Sequence, residues 1–335
     1  MSLKITLISF DYWNYDAKIV AHLNQLGHQA QHFNISQFKH NNNFERAKNA
    51  LSKLFLGKNP KHYKRQNAIL ETLISSGKQD YILVLNPDLI DAAYHQAIKK
   101  HTANYITYLY DSVTRSKNPI IHLLNNVFDK IYSFDDTDVE KYNFIKTNNY
   151  IYLDKQTISN KSLKYKVINI GSFDKRFSLF NKIANQLSQQ KVSFKFVMIS
   201  KNIQFKILKF KNYNRKNNIK DVEINKNIQF QSSRIPLNEL INEYKNAEII
   251  LDLVQGFQDG LSFRVFEAMA LQKKLITDNE SIKKYPFYNT NNILVIDKEN
   301  PEILAEFLET KYKKIPDEIY NLYTLDTWVR TIFNL

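Results

Sequence analysis

The residues of this sequence best suited to chemistry lie in DGLSFRVFEAMA, at 259–270. Asp259 and Glu267 are carboxylates with seven residues between them, and Glu267 falls inside an apolar segment with helical spacing. Ser262 stands where a helix N-cap is expected. A carboxylate only accepts hydrogen bonds and can engage two hydroxyls at once, so Glu267 is predicted to bind a polyol in a cleft. The alternative is a weak surface ion pair with Arg264.

A glycine followed by basic residues forms a second candidate site, at the end of the apolar run YKVINIG at 165–171. Gly171 is predicted to end a strand, and the next helix is predicted to begin near Asp174. Backbone N–H groups at a helix start, joined by Lys175 and Arg176, can bind an anion. The alternative is a glycine turn with a solvated basic first turn. Neither G-x-G-x-x-G nor a P-loop pattern occurs in the sequence.

Short apolar runs alternate with helical patterns along most of the chain, which is typical of parallel sheets covered by helices on both faces. We therefore predict an α/β fold with two Rossmann-like doubly wound domains that face a cleft. The predicted strands are 4–10, 81–87, 104–110, 129–134, 165–171, 192–199, 248–254, 273–278 and 292–297. The predicted helices include 16–30, closed by Gly27 at a C′ position, 175–190, 235–247 and the segment after Asp259.

The strand–helix pattern restarts after a polar stretch at 152–164, so two domains are predicted for the 335 residues. An N-terminal domain is predicted over 1–155 and a C-terminal domain over 165–312. The remaining segment, 313–335, is apolar and helical in pattern, and we expect it to pack back towards the N-terminal domain.

Ligands of doubly wound sheets bind outside the carboxyl ends of the strands, which narrows the search for site residues. The residues that directly follow predicted strands are Asp11, Asn86, Asp88, Asp111, residues 172–176 and residues 255–264. The acidic run DDTD at 135–138 looks like a metal-binding cluster, but its position predicts a helix N-cap and first turn.

The net charge of +14 favours anionic partners, namely nucleic acid, acidic lipid surfaces or phosphorylated small molecules. Biased codon usage is the alternative explanation for the excess of lysine. Without cysteine the chain has no disulfide and no cysteine nucleophile, which suits a cytoplasmic protein. The first apolar run ends at Asp11 and no small-residue cleavage site follows it, so neither a signal peptide nor a membrane anchor is expected.

The stretch DGLSFRVFEAMALQKKLIT resembles the signature of GT-B fold glycosyltransferases of group 1, usually E-G-F-G-L-P-L-x-E-A-M-A-x-G-x-P-V-I. Asp259 falls at the first acidic position and Glu267 at the second. The preceding IPLNELINEYKNAEIILDLV is similar to the segment before this signature, and LNQLGHQA is similar to the end of the first helix. INIGSFDKRF, LSFRVFEAMA and FDKIYSFDDTDVEKY most resemble the CgeB-like group. The likeness covers most of the chain and is strongest over 165–300.

This resemblance implies a donor substrate that is a UDP-sugar, a GDP-sugar or another nucleoside diphosphate sugar, with no metal and no other cofactor. Glu267 would bind the donor ribose, and Asp259 would lie at the donor sugar. Backbone N–H groups of 260–262 would bind the diphosphate, and basic side chains would neutralise the charge on the leaving group. The donor-binding residues implied in this way are Gly171, Lys175, Arg176, Arg234, Gly260, Leu261, Ser262, Arg264 and Glu267.

The sequence departs from the signature where Asp259 replaces glutamate and where Gln272 and Lys273 replace the usual glycine and its neighbour. The shorter acid leaves the stereochemistry of transfer open. An inverting reaction would need a base from the N-terminal domain, where Asp111 is the first candidate and Asp11 the second. The alternative for both is a loop carboxylate that caps the following helix.

The preferred function is a metal-independent, hexosyltransferase-like enzyme that builds a cell-surface polysaccharide, a lipopolysaccharide or a lipid-linked glycan. Two basic stretches bear on the acceptor: 45–65 has seven Lys or Arg against one Glu, and 201–226 has eight against two acids. The first also has an apolar stripe of Leu51, Leu54 and Phe55. It suits peripheral contact with the anionic inner face of the cell membrane, or it is a solvated cationic helix packed by that stripe.

Three alternatives stay open at this point. A GT-B enzyme acting on nucleic acid is less favoured, and it would show aromatic residues among the basic ones and a steep salt dependence of binding. A catalytically weak sugar-nucleotide-binding or scaffold protein would explain the aspartate at 259. A sugar-nucleotide epimerase would use the same fold.

Overall fold

Two six-stranded parallel sheets organise the fold, one in each of two units. Unit 1 comprises Met1–Asn148 and Leu325–Leu335, and unit 2 comprises Asn149–Thr324. The structure is a computed structural model, and it describes residues 1–11, 13–38, 42–56, 59–113, 121–157, 163–216, 223–256 and 258–335.

Unit 1 has the sheet order β2-β1-β3-β4-β5-β6, with every described strand pair parallel. Its strands are β1 (Lys4–Ser9), β2 (Gln29–Asn34), β3 (Gln79–Val84), β4 (Thr102–Leu109), β5 (Lys130–Ser133) and β6 (Ile145–Lys146). Its helices before the crossover to unit 2 are α1 (Tyr15–Gln25), α2 (Asn43–Leu56), α3 (Pro60–Ser76), α4 (Ala92–Lys99), α5 (Ile121–Val127) and α6 (Asp136–Tyr142). β1, β3 and β4 supply a core that is almost inaccessible to solvent.

Unit 2 has the sheet order β12-β11-β10-β7-β8-β9, which is the order typical of dinucleotide-binding Rossmann folds. Its strands are β7 (Tyr165–Ser172), β8 (Phe194–Ile199), β9 (Ile228–Gln231), β10 (Ala247–Asp252), β11 (Lys274–Thr277) and β12 (Ile293–Val295). Its helices are α7 (Phe177–Gln189), α8 (Ile203–Lys216), α9 (Leu237–Lys245), α10 (Phe263–Leu271), α11 (Ala305–Glu309) and α12 (Asp317–Asn321). Two apolar clusters, one on each face of the sheet, form its core.

The last helix, α13 (Leu325–Phe333), belongs to unit 1. The indole of Trp328 lies edge-on to the ring of Tyr108, with ring centroids 5.2 Å apart, and Phe333 lies edge-on to Tyr81 at 5.5 Å. A polar contact of 3.0 Å joins Asp326 to His22 of α1. Aromatic packing therefore holds the C-terminal helix against the sheet of unit 1.

The ends of the units differ from the predicted ranges 1–155 and 313–335. Residues 149–155 lie in unit 2, because the N–H of Ile151 donates to the carbonyl of Tyr323 at 2.7 Å and Ile151 also bridges to Thr324. Residues 313–324 lie in unit 2 for the same reason, and only the helix that follows returns to unit 1.

The strands predicted from apolar runs are present, and the sequence missed three strands at or near sheet edges. β2 and β6 end the sheet of unit 1, and β9 ends that of unit 2. β2, with the sequence QAQHFN, has no fully buried residue, so it has no apolar run to detect. For the same reason the helix predicted over 16–30 was too long: it ends at Gln25, and Gly27 follows with a φ of 88°. This positive φ confirms the predicted glycine C′ position.

Among the described residues, no helix is both long and apolar enough to cross a bilayer.

Candidate functional site

The carboxyl ends of β7 and β10 form the switch point of unit 2, where the strand order reverses and where doubly wound sheets bind ligands. Two side chains link the strands here. Asn169 of β7 donates from Nδ2 to the carbonyl of Leu251 on β10, at 2.7 Å. Arg264, in the first turn of α10, donates to the carbonyl of Ile170 on β7 and pairs with Asp252 on β10. The motif that contains Arg264 thus begins at the switch point.

Arg264 is the centre of a largely buried polar network. Its Nη1 lies 2.9 Å from Oδ1 of Asp252, its Nε 3.1 Å from the hydroxyl of Tyr244, and its Nη2 3.1 Å from the carbonyl of Ile170. Burial acts to lower the pKa of Arg264, but Tyr244 and Asp252 outweigh it and raise that pKa. Burial raises the pKa of Tyr244 to about 12, so at neutral pH Asp252 supplies the balancing charge. The alternative interpretation of the sequence, a weak surface ion pair between Arg264 and Glu267, is wrong, because Arg264 pairs with Asp252 and Glu267 is buried.

Gly171 is required by the position of this guanidinium. A Cβ built at residue 171 would lie 3.2 Å from Nη2 of Arg264 and 3.4 Å from Oδ1 of Asn169, which is tighter than ordinary contact. Within the described part of the chain, this Oδ1 has no hydrogen-bond partner. The glycine therefore serves the close approach of Arg264 to β7.

Glu267 lies in the middle of α10 and is only 2% exposed. The hydroxyl of Tyr152 donates to its Oε1, and Tyr152 is itself 6% exposed. The charge of Glu267 acts on both Tyr244 and Arg264, so the buried acid lies within electrostatic reach of the Arg264 cation. An acid is tolerated in this apolar helix because a hydroxyl and a nearby cation replace water around it.

The peptide groups before α10 are oriented by side chains that hold their carbonyl oxygens. Ser281 Oγ and Asn279 Nδ2 donate to the carbonyl of Asp259 at 2.5 and 3.2 Å, and Asn279 Nδ2 also reaches the carbonyl of Gly260 at 3.3 Å. Asn149 Nδ2 donates to the carbonyl of Leu261 at 2.9 Å. These side chains come from other parts of unit 2.

The N–H group of a trans peptide points away from its carbonyl, so the same contacts fix three N–H groups, those of Gly260, Leu261 and Ser262. None of these three N–H groups donates to a residue in the described ranges. Ser262 is the N-cap of α10, as predicted: its Oγ accepts from the N–H of Arg264 at 3.2 Å and donates to Oδ2 of Asp252 at 2.6 Å. The start of α10 thus presents oriented donors of the kind that bind anions.

The loop between β10 and α10 is also held at its first residues. Arg176 Nη1 donates to the carbonyl of Leu253 at 2.5 Å, and Asp278 Oδ1 accepts from the N–H of Val254 at 2.6 Å. Burial raises the pKa of Asp278. Arg176 is the N-cap residue of α7 and also forms a two-point pair with Asp174, so part of its charge is already neutralised.

Three other predicted site residues lie in exposed positions. Lys175 is exposed just before α7, and Arg234 is exposed between β9 and α9. The side chain of Asp259 is exposed in the loop before α10, whereas its carbonyl is held as described above.

Asp11 of unit 1 follows β1 and caps α1. Its Oδ1 accepts from the N–H of Asp16 at 3.3 Å and its Oδ2 from that of Ala17 at 3.0 Å. Asp16 and His32 lie beside it, so that one ligand atom from each of the three lies within 4.8 Å of the others. Such a set can hold a cation or a proton. Burial, with the charge of Asp11, raises the pKa of Asp16 to about 7, so a proton on Asp16 can remove one of the two negative charges of the pair near neutral pH.

Asp111 follows β4 and is exposed. Burial raises the pKa of Asp88, and the charge of Asp111 adds to this rise, which places the two carboxylates within electrostatic reach. Asn86 is used structurally, because its Oδ1 accepts from the N–H of Phe10 at 2.8 Å. The predicted role of DDTD is confirmed: Asp135 is the N-cap of α6 and accepts from the N–H of Asp138 at 3.1 Å.

Sequence reasoning missed Asn149, Tyr152, Asp252 and Asn279, which hold the predicted motif in place. Asp252 could have been found, because it is a carboxylate inside the apolar run EIILDLV. The others lie 19 or more residues away from the groups they hold, in stretches without a pattern. Motifs that can be read from local spacing therefore predict the contacts of the motif to a ligand but not the residues that hold the motif in place.

The chain is similar to several solved structures. It aligns over 100% of its length with 100% of an α-glucosyltransferase in complex with UDP and a 13-mer DNA containing a central A:G mismatch, at a TM-score of 0.62 and 13% identity. It aligns over 99% with 99% of the lipopolysaccharide outer core galactosyltransferase WaaB in its apo form, at 0.54 and 13%. A UDP-forming α,α-trehalose-phosphate synthase from Burkholderia xenovorans aligns over 98% of its length with 100% of this chain, at 0.56 and 12%.

No protein-family model matches the sequence, and no curated protein matches it. The similarity to solved structures covers both units at low identity, so it bears on the fold alone. It confirms, at the level of the fold, the resemblance that the sequence motif indicated. The chain has the two-domain α/β architecture of GT-B glycosyltransferases.

Proposed function

We propose that this protein is a glycosyltransferase that takes a sugar from a nucleoside diphosphate sugar. The observation that supports this most directly is the start of α10 at the switch point of unit 2. Three oriented N–H groups, a buried carboxylate one to two turns into the helix, and a GT-B fold occur together there. The N–H groups suit a diphosphate, and the carboxylate suits the hydroxyls of a ribose.

The donor-binding roles follow from the placement of each residue. Gly260, Leu261 and Ser262 bind the diphosphate through their N–H groups, and Glu267 accepts hydrogen bonds from the ribose. Gly171 leaves room for Arg264, whose main role is to join the two strands below the ligand.

The proposed cations of the site differ in their exposure to solvent. Arg176 has donors committed to Asp174 and Leu253, so it fixes the loop as well as adding positive charge. Lys175 and Arg234 are exposed, and their positive charge stabilises the departing diphosphate. No residue in this assignment requires a metal ion.

The acid–base chemistry is assigned to unit 1 and to Asp259. Asp111 is the proposed base that deprotonates the acceptor hydroxyl, because it is exposed at the carboxyl end of β4. Asp11 is the second choice, since both of its oxygens already cap α1. Asp259, which is exposed before α10, is placed at the donor sugar.

A ligand screen tests the donor proposal. Ligands that bind only the native state raise its thermal midpoint, so the common sugar nucleotides and free nucleoside diphosphates are compared on one plate. UDP-sugars come first, because UDP is named for two of the similar structures. We expect Glu267→Gln to lose the shift, with Glu306→Gln, an exposed acid of the same unit, as the matched control. An unchanged shift in Glu267→Gln would refute the ribose assignment.

The proposed acceptor is a glycan or lipid-linked glycan of a cell-surface polysaccharide or lipopolysaccharide, reached from the cytoplasmic side of the membrane. α2 supports peripheral contact, because Phe44, Leu51, Leu54 and Phe55 are exposed on a helix with basic neighbours. This exposure argues against a stripe packed on the protein itself. We expect the protein to float with anionic vesicles in a density gradient and not with neutral ones. The double variant Leu54→Glu/Phe55→Glu should no longer bind the anionic vesicles.

A nucleic-acid acceptor is the second candidate. It is supported by the net charge of +14 and by the similarity in fold to an α-glucosyltransferase in complex with DNA. Binding through phosphates would retard duplex DNA in a gel at low salt and would weaken steeply as salt rises. No retardation at low salt would eliminate this candidate. Donor binding without transfer to any acceptor would instead favour a non-catalytic sugar-nucleotide-binding protein.

A further inference from the structure

We propose that Tyr152 is a positioning residue that orients Glu267 for the ribose of the donor. This inference rests on the proposed function, because it assigns Glu267 to the ribose. Tyr152 lies far from the motif in sequence, at the start of unit 2, and nothing in the pattern of residues 259–270 points to it.

The contact between the two side chains is direct and enclosed. The Tyr152 hydroxyl donates to Oε1 of Glu267, and neither side chain is more than slightly exposed. A carboxylate offers two oxygens with about four acceptor positions, so it can accept from more than one donor at the same time. In a buried site, a neutral donor keeps the carboxylate oriented without adding a second charge.

Neighbouring contacts fix the ring of Tyr152 on α10. Tyr152 and Tyr150 both lie edge-on to Phe263, with ring centroids 5.9 and 5.2 Å apart. Between them, the N–H of Ile151 donates to the carbonyl of Tyr323 at 2.7 Å. Asn149 holds the carbonyl of Leu261, so the segment 149–152 lies along the first turns of α10.

This anchoring decides between two roles for the hydroxyl. A mobile tyrosine could occupy Glu267 in the empty protein and would have to leave before a ribose could bind. A ring held by Phe263 and by the backbone bond of Ile151 stays in place, so the hydroxyl and the ribose bind the same carboxylate together. The hydroxyl then fixes the plane of the carboxylate, which is what recognition of two adjacent hydroxyls requires.

The test measures discrimination of the sugar of the nucleotide. Tyr152→Phe removes one oxygen and keeps the ring contacts. Tyr323→Phe is the matched control, because its ring also packs on α10, at 5.9 Å from Phe266, and its hydroxyl has no hydrogen bond to a described residue. Calorimetry compares the ribonucleoside diphosphate that binds the wild type, UDP or GDP, with its 2′-deoxy and 3′-deoxy forms.

We expect Tyr152→Phe to weaken binding of the ribonucleotide about five- to tenfold and to weaken the deoxy forms less than twofold. Tyr323→Phe should change neither. Equal losses for all nucleotides would reduce Tyr152 to a structural residue, and tighter binding would show that it competes with the ribose. Either result overturns the inference.

A second variant keeps the test decisive if Tyr152→Phe does not fold. In that case 3-fluorotyrosine at position 152 keeps the ring and the hydroxyl but makes the phenol a stronger hydrogen-bond donor. It should change the affinity for the ribonucleotide more than the affinity for the deoxy forms, and an equal change for all three nucleotides overturns the inference. Failure of the proposed function looks different. In that case the wild type binds no nucleoside diphosphate, or binds ribose and deoxyribose forms equally, whatever the residue at 152.

Discussion

The guanidinium of Arg264 lies 2.9 Å from the carboxylate of Asp252 and also donates to the carbonyl of Ile170. One side chain thereby joins a helix to the two central strands of unit 2 at its switch point. The same carboxylate accepts from the hydroxyl of Ser262, the N-cap of α10. The pair therefore fixes both the sheet and the helix start on which the donor site is proposed.

We expect Arg264→Ala to lower the free energy of unfolding by about 3 kcal/mol, because it leaves Asp252 buried without its cation. Arg264→Met combined with Asp252→Asn removes both charges and should cost clearly less than Arg264→Ala. Lys175 is an exposed cation that follows β7 in the sequence, and Lys175→Ala should change stability by less than about 0.5 kcal/mol. Urea denaturation measures all three. A double variant as unstable as Arg264→Ala would contradict the charge argument.

The sequence predicted the parts of the fold that rest on local patterns. Strands buried on both faces, such as β1 and β10, are continuous apolar runs, and the N-caps at Ser262 and Asp135 follow from residue type and spacing. The edge strand β2 was missed because it covers no core and so needs no apolar run. Local rules thus recover interior elements better than edges.

The candidate site was predictable only in part, for a similar reason. Glu267 and the glycine loop were visible because their spacing is local. Tyr152 and Asn149 act on residues more than a hundred positions away, through hydrogen bonds to Glu267 and Leu261. A single long-range contact leaves no periodic trace in the sequence, so the residues that hold the motif emerge only from the fold.

Asp16 should make stability depend on pH. Burial, with the charge of Asp11, raises its pKa from 3.8 to about 7 in the folded chain. A raised pKa means that the stabilising contribution is complete below pH 3.8 and is lost as pH rises through 7. Relative to Asp16→Asn, the wild type should lose at most about 4 kcal/mol between pH 4 and pH 8.

Urea denaturation of both proteins at several pH values in this range tests that expectation. Asp80→Asn, in which an exposed acid of the same unit is neutralised, controls for general charge effects. A difference between wild type and Asp16→Asn that stays constant with pH would mean that Asp16 is ionised throughout.

The contribution of Lys274 to stability should increase with pH at high pH, whereas that of Asp16 decreases. The Lys274 side chain is 1% exposed, and its ammonium donates to the carbonyls of Phe307, Leu308 and Thr310 at the end of α11. Lys274→Met removes these donors and should cost about 1–3 kcal/mol at pH 7. Burial lowers the pKa of Lys274 from 10.5 to about 8, so the unfolded chain holds more protons between these values and the wild type gains stability as pH rises.

The gap between wild type and Lys274→Met should therefore widen by about 1 kcal/mol per pH unit above pH 8. Denaturation at pH 7, 8.5 and 9.5 measures it, and Lys226→Met, an exposed lysine of unit 2, serves as the control. A gap that stays constant over this range would show that the buried amine stays fully charged.

Asn279 should affect the diphosphate and not the nucleoside. Its Nδ2 holds the carbonyls of Asp259 and Gly260, and so fixes the N–H groups of Gly260 and Leu261. We expect Asn279→Ala to weaken binding of the nucleoside diphosphate about tenfold, because the peptide of Gly260 and Leu261 loses the side chain that orients it and the peptide of Asp259 and Gly260 loses one of its supports. Binding of the nucleoside without phosphates should change less than twofold.

The control for this prediction is Asn292→Ala. Asn292 is also buried in unit 2 and also holds backbone, since its amide bonds to the carbonyl and the N–H of Lys313, both at 2.7 Å. These described contacts of the Asn292 amide do not involve residues 259–262. Asn292→Ala should therefore lower stability about as much as Asn279→Ala and leave both affinities unchanged. If Asn279→Ala weakened nucleoside and nucleoside diphosphate equally, the loss would come from general loosening of unit 2. A loss confined to the diphosphate requires that the peptide groups before α10 contact the phosphates.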